Sequence, residues 1–159
     1  MNAAENRNYA ATLLHGMDCD LISFFDCDDE MHPQRVKAIE HAFNALEGCQ
    51  LVMHNYLHAP SELAAPFELY QTIEISMNML QRAPSGCVVF KSNWNTLLHH
   101  SQVSIAKELW EKVRFREGKE VERKEDALFC GDCMILSPPN IYIANPLSKY
   151  FMEGQTHVV

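Results

Sequence analysis

The sequence has no apolar run close to the roughly 20 residues that a membrane-spanning helix needs. Its opening, Met1 to Ala10, is polar and lacks the apolar core of a secretory leader. With both signals missing, the expected location is the cytoplasm. Basic runs are missing too. Lys and Arg number 13 against 21 Asp and Glu, a formal charge of −8. Such a chain repels a phosphate backbone, so nucleic acid is not an expected partner, whereas metal ions and metal-chelated anions are. Cysteine is scarce: 6 in 159 residues is too few for a disulfide scaffold, and they read as reduced, mostly buried thiols. No internal repeat, low-complexity tract or linker interrupts the chain. The length implies one domain, 1–159. An apolar share of 47% with 21% charged residues suits a packed core.

The pattern along the chain predicts alternating helices and strands. Residues 3–15 read as a helix stopped by Gly16. The apolar run 21–25 fits a buried strand. A second helix is predicted from Pro33, with Val36, Ile39, Phe43 and Leu46 on its buried face and Gly48 at its end. Strands are expected at 51–57, 87–90 and 141–143, with an extended stretch at 96–105. Further helices are expected at 106–113 and 125–136, separated by a charged loop at 114–124. Residues 59–84, broken by Pro60, Pro66 and Pro84, carry no clear signal. This order of elements predicts an α/β layered fold, a mixed sheet flanked by helices.

The most informative stretch is Phe24-Phe25-Asp26-Cys27-Asp28-Asp29-Glu30. Four acids in five positions repel one another unless a positive charge sits among them. They follow an apolar strand, and ligands in α/β folds bind at the carboxyl ends of strands. Alternate strand residues point the same way, so Asp26 and Asp28 are expected to converge on one cation. Carboxylate oxygens suit Mg²⁺ or Mn²⁺. The plain reading is a solvated acidic turn in front of the next helix. A calcium loop is excluded, because its sixth position needs Gly and Met31 stands there. An aspartyl phosphatase fits poorly, because Asp29 and Glu30 follow the second Asp where Thr or Val is wanted.

A third chemistry matches more of the chain. The segment 24–35, with His32-Pro33 opening the next helix, resembles the Asp-x-Asp segment of family-2-like glycosyltransferases of the GT-A fold. Upstream, Ala4-Glu5-Asn6-Arg7-Asn8-Tyr9-Ala10 resembles that family's Ala-x-x-Arg-Asn helix start. Downstream, His100-Ser101-Gln102-Val103-Ser104 resembles its acceptor-side strand, with Ser101 where the family has Gly. Val113-Arg114-Phe115-Arg116-Glu117 and Glu125-Asp126-Ala127-Leu128-Phe129 resemble its loop and Glu-Asp helix start. The resemblance implies transfer of a sugar from a nucleotide-diphosphate donor to an acceptor hydroxyl, with inversion and with Mn²⁺ or Mg²⁺ as cofactor. It implies metal contacts from Asp26 and Asp28, donor contacts from Arg7, Asn8 and Asp26, and Asp126 as general base with Glu125 beside it. His100 and Trp94 are the expected acceptor-side residues.

The family begins with a strand-helix-strand unit that cradles the nucleoside. Here the sequence starts at the helix before the Asp-x-Asp strand, so the expected fold is an N-terminally truncated GT-A domain. Its sheet is expected to present an unpaired edge beside the 21–25 strand, inviting self-association or a partner chain that supplies the missing strands. A non-catalytic remnant or subunit acting as a binding module is the alternative function. Trp110, at helical spacing with Ile105, Leu109 and Val113, is expected in the core. Cys130-Gly131-Asp132-Cys133 lacks the four ligands of a zinc site and lies inside a predicted helix, so no metal or redox role is assigned to it.

Overall fold

Helix α1 (Ala3–His15) starts where the sequence places it, because Asn2 builds a capping box. The Asn2 side chain accepts from the Glu5 amide, and the Glu5 carboxylate accepts from the Asn2 amide, both at 2.9 Å. The structure is a computed structural model that describes residues 2–59, 66–84, 88–90, 102–121 and 124–151. Strands β1 (Leu21–Ser23) and β2 (Glu30–Met31) flank the acidic stretch, and α2 (Arg35–Ala45) follows. The long strand β3 (Leu51–Ala59), the short β4 (Ile75–Met77), β5 (Leu80–Arg82) and β6 (Val88–Phe90) come next. Then β7 (Val103–Ala106) runs into a single turn, α3 (Lys107–Trp110). Helix α4 (Glu125–Cys133) ends in the 3₁₀ turn Met134–Leu136, and β8 (Asn140–Phe151) closes the order.

The main sheet has the order β1-β7-β3-β8-β2, with β4 also on β8; β5 and β6 form a separate pair. Strand β7 is antiparallel to both β1 and β3, while β3 and β8 are parallel. It follows that β1, β3 and β8 all run one way and deliver their carboxyl ends to one end of the sheet. Among the described strands, β1 forms one edge. On α1 and its exit, Tyr9, Leu13 and Met17 are 59%, 56% and 61% exposed.

Each sheet face carries its own core. On one, Ile22, Phe24, Leu51, Met53 and Ile105 pack with Ala4 and Ala11 of α1, Trp110, Phe115 and Phe129. Trp110 is fully buried there, as expected, near the rings of Phe24 and Phe129. On the other, Val52, Ile141, Ile143 and Leu147 pack with Ala38, Ile39 and Ala42 of α2.

Several boundaries differ from the sequence reading. Strand β1 ends at Ser23 rather than at residue 25, although the Phe24 amide still donates to the Val103 carbonyl. Helix α2 begins at Arg35, and Val36 faces outward at 67% exposure; of the expected face, Ile39 is buried beside Ala38 and Ala42, and Phe43 and Leu46 pack at its margin. The helix expected over 106–113 is only one turn long. The strand read at 141–143 continues to Phe151, and that read at 51–57 continues to Ala59. The stretch 59–84 contains β4 and β5. Cys87 and residues 96–101 lie outside the described residues.

An extended strap, 66–74, crosses the α2 face of the sheet. Side chains from elsewhere fasten its backbone. The Gln34 amide donates to the Tyr70 carbonyl (3.1 Å) and accepts from the Tyr70 amide (2.7 Å). The Glu74 amide donates to Asn145 Oδ1, and Asn145 Nδ2 donates to the Thr72 carbonyl. Buried His32 stacks on Tyr70 at 4.7 Å, and its Nε2 lies 3.0 Å from the Glu68 carbonyl.

Candidate functional site

The site grows from the end of β1. The chain leaves the sheet at Phe24 and turns, with the Asp29 amide donating to the Asp26 carbonyl at 3.3 Å. A turn, not strand alternation, therefore places Asp26 and Asp28. Asp28 is exposed, whereas Asp26 faces the helices. Two residues on, β2 pairs Glu30 with Lys149, whose Nζ lies 3.1 Å from both Glu30 carboxylate oxygens. The acidic turn thus links the two outermost strands of the sheet path, β1 and β2.

One guanidinium joins three distant parts of the sequence. Arg7, on α1, has Nη2 3.3 Å from Asp26 Oδ1 and Nη1 3.3 Å from Glu125 Oε1. Its charge also lies over the Phe115 ring, 5.5 Å from the centroid. Burial is substantial: the Arg7 and Glu125 side chains are 17% and 14% exposed and Asp26 33%. Glu125 Oε2 is buried without a hydrogen-bond partner, so this carboxylate has acceptor capacity to spare. Glu125 opens α4, where the aligned peptide dipoles favour negative charge. Next to it, Asp126 Oδ1 accepts from the Ala127 amide at 2.6 Å.

Asn8 faces another side of α1. Its side chain donates to the Phe115 carbonyl and to Glu117 Oε1, both at 2.8 Å, and accepts from the Phe115 amide at 3.0 Å. It pins the 113–117 loop and lines a shallow groove with Glu5, Tyr9, Thr12 and Arg114. Trp94 and His100, the expected acceptor-side residues, lie outside the described residues. Cys130 and Cys133 are fully buried within α4, and desolvation pushes the Cys133 thiol upward, away from thiolate chemistry.

The sequence reading missed Arg35 and His54. Arg35 is 2% exposed. Its Nε donates to His54 Nε2 at 2.9 Å and its Nη2 to the Phe24 carbonyl at 3.0 Å, and its charge lies 5.0 Å from the Phe25 ring centroid. Because His54 accepts at Nε2, it is neutral, with its proton at Nδ1 directed to the Asn55 carbonyl at 2.8 Å. Burial lowers the Arg35 pKa to about 10, which leaves it charged at neutral pH. No sequence signal marks such a group, since a charged residue on a helix is ordinarily solvated.

Among the described residues no three His, Cys, Asp or Glu side chains gather as a metal cage. The donor set at 26–28 is two carboxylates on an accessible turn. That suits a cation such as Mg²⁺, which takes one or two carboxylates and completes its shell with water and phosphate oxygens.

No protein-family model matches the sequence, and no curated protein matches it. Among solved structures, the chain is similar to the crystal structure of S. aureus TarS 1-349 in complex with UDP-GlcNAc, at 13% identity and a TM-score of 0.63. The match covers 98% of this chain and 40% of that one, so the chain spans well under half the length of its neighbour. TarS is a glycosyltransferase. The mixed, curled sheet with helices on its faces is therefore a glycosyltransferase-like fold.

Proposed function

We propose that this chain carries the metal-binding and acceptor-side half of a metal-dependent glycosyltransferase, which moves a sugar from a nucleotide diphosphate to a hydroxyl with inversion. The observation that carries the reading is the Arg7 bridge. Residues from α1, the β1 exit and the start of α4, singled out separately in the sequence, meet around one guanidinium. The solved neighbour, which holds UDP-GlcNAc, makes a nucleotide sugar the natural donor.

Asp26 and Asp28 hold Mn²⁺ or Mg²⁺ in this proposal. The ion, when bound, neutralises charge gathering on the leaving diphosphate. Arg7 fixes the Asp26 carboxylate and keeps Glu125 near it. Asp126 takes the proton from the acceptor hydroxyl as general base. Among the described strands β1 ends the sheet, and it is the edge on which further strands would pair. Calorimetry with Mn²⁺ and uridine diphosphate tests the metal assignment. Binding is expected in the wild type and is lost in Asp28→Asn; equal binding by both would remove the acidic turn from the site.

A further inference from the structure

The far half of the β3–β8 ribbon carries a group of rings that the proposed chemistry does not use. Tyr56 and His58 lie on β3 and Tyr150 on β8, with His58 paired to Tyr150 in register. Their centroids are 4.8 Å apart for Tyr56–His58, 5.4 Å for His58–Tyr150 and 6.4 Å for Tyr56–Tyr150, all edge to face. Tyr56 OH lies 3.1 Å from His58 Nε2. His58 is exposed and the two tyrosines are half-buried.

A strand irregularity sets the direction these rings face. The β3–β8 register shifts on both sides of Asn55. Before the shift, His54 meets Arg35 on the α2 face. After it, Leu57 pairs with Lys149, whose charge meets Phe67 of the strap on the α2 face, so alternation puts Tyr56, His58 and Tyr150 on the opposite face. Bulges re-aim side chains in this way. The rings thus extend the face that holds Arg7 and Glu125. They also share a sheet end with the acidic turn, because Asp29 leads straight into the Glu30–Lys149 pair, one residue from Tyr150.

From this geometry we infer that Tyr56, His58 and Tyr150 form a binding subsite for a neutral pyranose chain, stacking its C–H faces on the rings and bonding its hydroxyls to the phenol and imidazole. Half-exposed aromatic bodies with polar tips match the alternating apolar faces and hydroxyl rims of a sugar. Charge argues against a polyanion: the chain carries −8, and Asp26, Asp28, Asp29 and Glu30 lie at the same end. As the acceptor's seat, the subsite rests on the glycosyltransferase reading; as a saccharide site, it does not.

The test is an NMR titration of the full chain with cellotetraose and with chitotetraose, using a heparin-derived tetrasaccharide as the anionic control. Either neutral sugar is expected to shift the His58 imidazole C–H signals. Tyr150→Leu is expected to weaken that binding roughly 3- to 10-fold, the scale of one aromatic contact. His58→Ala, at an exposed position that leaves folding intact, is expected to weaken it as well. Silence from both neutral sugars overturns the inference, as do equal affinity in His58→Ala and tighter binding of the anionic sugar. Calorimetry with Mn²⁺ and uridine diphosphate on the same sample separates the two claims. Sugar binding without nucleotide binding upholds the subsite and sinks the donor reading. Nucleotide binding without sugar binding does the reverse.

Discussion

Two arginines hold the acidic segment from opposite faces of the sheet, and they do so differently. Arg7 is a partly exposed cation 3.3 Å from two carboxylates, Asp26 and Glu125. Arg35 is a buried cation that grips a backbone carbonyl and an imidazole, Phe24 and His54. The first arrangement can exchange partners when a charged ligand arrives. The second cannot move without uncovering polar groups in the interior, which costs about 1–3 kcal/mol for each one left unsatisfied. The chain of the site is therefore set from the α2 face, and its charges are set from the α1 face.

Substitutions can break this division. The largest effect is expected on the Arg7 side, in chemistry rather than folding. Asp126→Asn, in an assembly active for transfer, is expected to slow the reaction by about 10²–10⁴-fold, the usual worth of a general base. Its melting curve and its Mn²⁺–nucleotide affinity are expected to stay unchanged. Full activity would pass the role to Glu125. Arg35→Met is expected to cost roughly 2–3 kcal/mol in urea unfolding, because the Phe24 carbonyl and His54 Nε2 lose their donor. Relief from burying a charge offsets part of that loss. Arg7→Met is expected to cost only about 1 kcal/mol, near the upper end for partly exposed ion pairs, yet to weaken Mn²⁺–nucleotide binding. Equal unfolding losses for the two variants would erase the contrast. The smallest effect concerns thiols. In a Cys87→Ser background, a thiol reagent is expected to label Cys19 and Cys27 in the native protein and to spare Cys49, Cys130 and Cys133, which are buried. Labelling of Cys133 without unfolding would show that α4 opens locally.

The elements legible in the sequence were those with local signals. Gly16 ends α1, Gly48 ends the α2 turn at φ 70°, and the apolar runs at β1 and β3 stand out. What escaped was decided by distant partners. The second half of β8 contains Pro146 and Lys149 and reads as loop; it is a strand because β3 supplies a parallel ladder and Glu30 and the Phe67 ring meet the Lys149 charge. Val36 misled because the buried face of α2 centres on Arg35, Ala38, Ile39 and Ala42, and small Ala side chains carry no apolar signal as strong as that of a Val on the far side. Arg7, Asp26 and Glu125, which meet in the structure, were singled out by the acidic cluster and by a resemblance spread over three segments. Arg35 was not, because the burial of a charge is a property of the finished fold.

The strap over residues 66–74 has a consequence for how the sequence can vary. Its course is written partly in residues outside it: Gln34, His32 and Asn145 bond to its backbone, while its own Phe67, Tyr70 and Ile73 anchor it by ring contacts and packing. Its own Leu69 is 70% exposed. Where borrowed side chains hold the backbone, the strap places few demands on those of its residues that make no contact of their own. Positions such as Leu69 and Thr72 are free to drift, to be diversified or to carry a label while the path stays put. Variation in Gln34, by contrast, would release a segment 36 residues away.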